Sequence, residues 1–104
     1  MTWRDVGDTE QLPRQSARAF MIDGIPIALV RTASDHYYAI ENRCPHRAGP
    51  LADGFVFGDS ISCPLHGWNF SLATGTAIFP DIGCIKTFPL EIANQRIRIA
   101  VAGT

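Results

Sequence analysis

The chain has 104 residues, 46% of them hydrophobic and 18% charged, with a formal net charge of -1. That length suits one domain spanning residues 1–104, with apolar side chains enough for a core and too few residues for two domains. The balanced charge, with no basic run, argues against nucleic acid or an anionic membrane as partner, and no stretch approaches the roughly 18 consecutive apolar residues of a membrane span. The opening Met1-Thr2-Trp3-Arg4-Asp5 lacks the basic end, apolar run and cleavage site of a secretion signal. A cytoplasmic location is therefore expected.

In chain order the pattern is one of short β runs punctuated by turns, without long helical periodicity. Trp3 is expected to anchor a first strand in the core. Ala17 to Asp23 and Ile25 to Arg31 are apolar-rich runs broken at Asp23-Gly24, a favoured hairpin turn because Gly accepts positive φ. In the second run Ile25, Ile27 and Leu29 share a face. Tyr37, Tyr38 and Ile40 mark another strand. Gly54 to Phe57 and Ser60 to Cys63 read as a hairpin across Gly58-Asp59. Near the end Phe88, Leu90 and Ile92 alternate with polar or turn residues, as do Ile97, Ile99 and Val101, with a turn at Asn94-Gln95. This is the inside-outside alternation of antiparallel strands. Pro89 has no N–H for a ladder and is expected at an edge or bulge. The fold class is all-β, an antiparallel β-sandwich or small barrel.

The chemistry lies in two short boxes. Cys44-Pro45-His46 is followed, after sixteen intervening residues, by Cys63-Pro64-Leu65-His66. Each offers one thiolate and one imidazole, both transition-metal ligands. With Cys84 the chain has three cysteines, an odd count that argues against a disulfide framework. In a reducing compartment such Cys and His pairs are more often metal ligands. Two Cys and two His in this alternation suit a [2Fe–2S] cluster in which two His replace two Cys on one iron. A structural zinc site takes the same donors, but zinc fingers usually pair Cys with Cys and His with His, whereas each box here mixes them. The boxes fall in loops containing Pro45, Gly49, Pro50, Pro64 and Gly67. Proline stiffens such loops, and glycine allows close backbone approach to a bound group.

Cys44-Pro45-His46 together with Cys63-Pro64-Leu65-His66-Gly67-Trp68 resembles the Rieske ferredoxin-type domain, and the likeness spans nearly the whole chain. It implies a β-sandwich base with a small cluster-binding subdomain, here about residues 40–70. It implies Cys44 and Cys63 on the inner iron, and His46 and His66 on the outer iron through Nδ1, with their other ring nitrogens near the surface. Respiratory and photosynthetic Rieske proteins carry an extra cysteine in each box, forming a disulfide. The matching positions here are Gly49 and Leu65. Those proteins also place a serine and a tyrosine after the second box as hydrogen-bond donors, where this chain has Trp68 and Phe70. Fewer donors to the reduced cluster predict a potential near the low end of the Rieske range of about -150 to +300 mV.

The stretches Asn42 to Leu51 and Asp81 to Pro89, the latter with Gly83-Cys84, resemble the small subunit of assimilatory NAD(P)H nitrite reductase. That resemblance implies an electron-transfer subunit with no catalytic site of its own. Its partner would be a large subunit carrying FAD, a [4Fe–4S] cluster and sirohaem, which reduces nitrite to ammonium. The alternative is a Rieske ferredoxin serving an aromatic-ring-hydroxylating dioxygenase, with an oxygenase and its reductase as partners. Cys84 reads first as a small buried hydrophobe, and His36 as a solvent-facing histidine. Phe79-Pro80-Asp81 is a candidate third loop over the cluster.

Overall fold

The tight turns fix the hairpins, and the hairpins fix the sheets. The structure, a computed structural model, describes residues 2–45, 49–64, 67–78 and 83–101. Its strands are β1 (Thr2–Asp8), β2 (Ser16–Ile22), β3 (Ile25–Arg31), β4 (Tyr37–Glu41), β5 (Phe55–Phe57), β6 (Ser60–Ser62), β7 (Asn69–Ser71), β8 (Thr87–Phe88), β9 (Leu90–Ala93) and β10 (Arg96–Val101). There is no α-helix among the described residues, only two 3-10 turns, Thr9–Gln11 and Leu51–Asp53. Asp23 and Gly24 have φ of 51° and 80°, and Asn94 and Gln95 have φ of 52° and 65°. Two successive positive φ values match the right-handed twist of flanking strands. These two turns join β2 to β3 and β9 to β10 where the sequence places them.

The strands form three antiparallel sheets, ordered β1-β10-β9, β2-β3-β4-β8 and β5-β6-β7. Strand β3 explains how they stack. Ile27 and Leu29 enter one core with Ile97, Ile99 and Val101 of the first sheet. Ala28 and Val30 enter a second core with Val56, Ile61 and Phe70 of the small sheet. A strand covered on both faces reads as a continuous apolar run, which is what Ile25 to Val30 shows. The base is thus a β-sandwich, and the small sheet packs on its other side. Ile61 and Phe70 are each 0% exposed, a burial that favours folding by about 1.5–3 kcal/mol per side chain.

Pro89 falls between β8 and β9, where the chain passes from the second sheet to the first. It loses no ladder donor there, and its carbonyl accepts the Ala100 N–H at 2.9 Å. Gly75 is needed for its backbone. Its φ is +77°, and a Cβ there would lie 2.2 Å from the Ile85 carbonyl oxygen, which instead leaves room for the Ile85 N–H to reach the Gly75 carbonyl at 2.8 Å.

Three expectations are corrected. Trp3 is not a core anchor but 41% exposed. It pairs with Ala100 in the edge strand β1, between the Thr2 and Arg4 pairings to Val101 and Ile99. Val101 and Ile99 point into the core, so alternation turns Trp3 to the outer face. Ile92 is also 41% exposed, because β9 is the other edge of that sheet and its end is left partly uncovered. Cys84 is exposed rather than buried. Its neighbour Ile85 takes the core position at 4% exposure, and in extended backbone adjacent side chains point opposite ways.

Candidate metal centre

Strand β4 feeds the first box. Past Glu41 the chain keeps one more ladder bond, from the Asn42 N–H to the Pro26 carbonyl at 2.9 Å, and then leaves the sheet. The Cys44 N–H donates to the Gly49 carbonyl at 2.9 Å, which folds the box back on itself. The 3-10 turn Leu51–Asp53 follows, with Leu51 0% exposed beneath it. Its Ala52 N–H donates to the side-chain Oδ1 of Asn42 at 2.7 Å.

The β5-β6 hairpin feeds the second box. Val56 and Ile61 pair across it and face the core, so the residue after Ser62 arrives at the same core. The Cys63 N–H donates to the Trp68 carbonyl at 2.6 Å, and the Gly67 N–H to the Cys63 carbonyl at 3.0 Å. This loop closes through its own backbone. Gly67 has φ of +69°, a conformation that glycine adopts without penalty.

Cys44 and Cys63 are 1% and 3% exposed. They share one core with Leu51, Ile61, Phe70 and Ile85, against which the half-buried Trp68 also packs. No cysteine is in a disulfide. Two cysteines from separate loops are thus placed in one apolar core, unbridged, each with its N–H tied within its own loop. That placement fits a soft-metal or iron–sulfide group needing two buried thiolates. Phe70 presents an apolar wall without a polar hydrogen. His46 and His66, along with Phe79-Pro80-Asp81, lie outside the described residues. Gly83, at the near end of that last segment, lies against the first box: a Cβ on it would come within 3.5 Å of Pro45 Cγ.

Several ties hold the small sheet to the base. Gln15, with φ of 56°, donates from Nε2 to the Val56 carbonyl at 3.0 Å. Asp59, in the β5-β6 turn, lies 3.3 Å from Nδ1 of His36. His36 is solvent-facing as expected, its side chain 58% exposed. The Tyr38 hydroxyl is pushed above its ordinary pKa by burial first and then by the negative charge and hydrogen bond of Asp59. None of these three ties was given a role from the sequence. The cue for the Asn42 tie is local: an Asn two residues before a metal box favours side-chain capping of the loop.

The Rieske [2Fe-2S] domain matches residues 2–89, so the chain belongs to the Rieske [2Fe–2S] family. It is an electron-transfer protein carrying one Rieske-type [2Fe–2S] cluster. Among its relatives is the ferredoxin component of the naphthalene 1,2-dioxygenase/salicylate 5-hydroxylase systems of Ralstonia sp., 35% identical over 98 residues and covering 93% of each chain. The ferredoxin of carbazole 1,9a-dioxygenase from Nocardioides aromaticivorans superposes with a TM-score of 0.86 at 31% identity, over 96% of this chain and 98% of that one. A Mycobacterium tuberculosis protein described as a putative NADH-dependent nitrite reductase small subunit superposes with a TM-score of 0.90, over 99% and 97% of the two chains, but at 19% identity. At that identity the likeness shows the fold alone. No helix among the described residues is long and apolar enough to cross a membrane.

Proposed function

We propose that this chain is the Rieske ferredoxin of an aromatic-ring-hydroxylating dioxygenase system, relaying electrons from a reductase to an oxygenase. The observation that carries this reading is its 35% identity to a dioxygenase ferredoxin component across 93% of both chains. The expected assignment to nitrite reductase gives way to the alternative stated beside it. Its support was Gly83-Cys84 and the first box, whereas the nitrite reductase small subunit shares 19% of positions.

The ligand set we propose is Cys44 and Cys63 on one iron and His46 and His66 on the other. When bound, the cluster takes up and releases one electron at a time. The protein's part is to hold and shield. Cys44 and Cys63 sit in an apolar core that keeps water from their sulfurs, and the loop bonds at both cysteines fix where those sulfurs point. As ligands of the other iron, His46 and His66 would form the electron's route to a docked partner. The chain has no nucleotide-binding glycine signature, so reducing equivalents come from another protein.

The test is direct electron transfer. The reduced protein is mixed with the oxygenase component of a naphthalene dioxygenase system and, separately, with the large subunit of a sirohaem nitrite reductase. Rapid reoxidation by the oxygenase alone is expected. Reoxidation by the sirohaem protein alone would return the assignment to nitrite reductase.

A further inference from the structure

Both ligand loops close at their cysteine by a backbone bond, and a further side-chain tie on the first singles out Asn42. The second loop, from Cys63 to Trp68, closes by backbone bonds at 2.6 and 3.0 Å. The first closes likewise, from the Cys44 N–H to the Gly49 carbonyl at 2.9 Å, and outside that bond Asn42 and Ala52 meet through a side chain. Asn42 holds both sides: its N–H bonds to the Pro26 carbonyl at 2.9 Å, and its Oδ1 accepts the Ala52 N–H at 2.7 Å. The first bond ties it to the rigid β3-β4 ladder, and the second ties the far end of the loop to that same point. Cys44 lies two residues inside this ring. Asn42 is half-buried, as is Ala52, which packs against the core that holds both cysteines.

We infer that Asn42 is a positioning residue for the cluster, a latch whose acceptor oxygen holds the first ligand loop shut around Cys44. The inference rests on the proposed ligand set. A half-buried amide N–H deprived of its acceptor is left unsatisfied, and that penalty falls on the closed loop alone. Once the ring opens, the loop around Cys44 keeps only its Cys44–Gly49 backbone bond and the buried Leu51 to hold it. The amide nitrogen of Asn42 has no part in this bond, so an oxygen at that reach is what the latch requires. Aspartate supplies one; alanine supplies none; serine is one atom too short to span the loop.

The test is iron release from the loaded protein into excess chelator, followed by loss of visible absorbance. Asn42→Ala and Asn42→Ser are expected to release iron about tenfold faster than the wild type. Asn42→Asp stays within about twofold, as does Gln15→Ala, which removes a base-to-sheet tie remote from the loop. If Asn42→Ala does not accumulate folded, Asn42→Ser read against Asn42→Asp decides the matter. Equal release by wild type, Ala and Ser variants overturns the latch. So does equal release by the Asp and Ser variants, or Gln15→Ala matching Asn42→Ser, which would reduce the effect to general loosening. A coloured wild type with unchanged variants rejects the latch alone, whereas a colourless wild type rejects the ligand set and the latch with it.

Discussion

The loop that delivers Cys63 and the loop that delivers Cys44 reach one core by different means. The second is six residues long and closes by two backbone bonds, from the Cys63 N–H to the Trp68 carbonyl and from the Gly67 N–H to the Cys63 carbonyl. The first has the same kind of backbone closure, from the Cys44 N–H to the Gly49 carbonyl, but it spans from the end of β4 to the 3-10 turn at Leu51 and adds the Asn42 side chain as a tie. Closing a longer loop costs more entropy and leaves more backbone groups to satisfy. The first half of the site therefore carries a side-chain tie at a residue outside the proposed ligand set.

The largest effects should treat both loops alike. Cys44→Ser and Cys63→Ser are each expected to abolish the visible absorbance and the EPR signal of the reduced protein, since the thiolate is the ligand. A variant that keeps a wild-type signal removes that cysteine from the set. The next effect should be confined to the second loop's side. Phe70 is 0% exposed in the same core as both cysteines, and the resemblance puts a hydrogen-bond donor there in higher-potential relatives. Phe70→Tyr is expected to raise the reduction potential by about 40 mV, the equivalent of about 1 kcal/mol of hydrogen bonding to the reduced state for one electron. An unchanged potential in a folded, loaded variant would show that the hydroxyl does not reach the cluster. The wild-type potential itself is expected near the low end of the Rieske range, about -150 mV, and potentiometry giving a clearly positive value would refute that.

The smallest effect belongs to the base and should leave both loops alone. The Asp5 carboxyl is held below its ordinary pKa of 3.8, chiefly by its hydrogen bond from Arg96. Asp35 is held below 3.8 as well, chiefly by its hydrogen bond from Arg31. A depressed folded-state pKa gives stability that is present above about pH 3.8 and is lost as pH falls through the folded value. Both groups are exposed, so solvent screens the gain. Asp5→Asn is expected to flatten the acid limb of the melting-temperature profile slightly. Iron release at neutral pH should be unchanged.

Much of this molecule can be read from its residues, and the exceptions follow a pattern. Asp23-Gly24 and Asn94-Gln95 announce their hairpins because few residue pairs accept positive φ twice running. The two boxes announce a metal because mixed Cys and His at such spacing have few other uses. What failed was placement at the margins. Trp3 and Ile92 lie on edge strands, where an apolar side chain has a neighbour on one side only, and hydrophobicity alone does not reveal which strand is the edge. Cys84 was misplaced because burial of a cysteine was inferred from residue type, whereas its backbone alternates with Ile85. The residue type and place of Asn42 are a cue for capping, but its partner Ala52 is ten residues on, through a loop whose path is set by tertiary packing. The choice between partners was also beyond local motifs. Gly83-Cys84 pointed one way, and likeness over the whole chain points the other.

The most direct test of the account is pulsed EPR on anaerobically purified, reduced protein, combined with iron and acid-labile sulfide analysis. Two irons and two sulfides per chain are expected, with coupling from two histidine nitrogens. Coupling from none, or a protein free of labile sulfide, would contradict it.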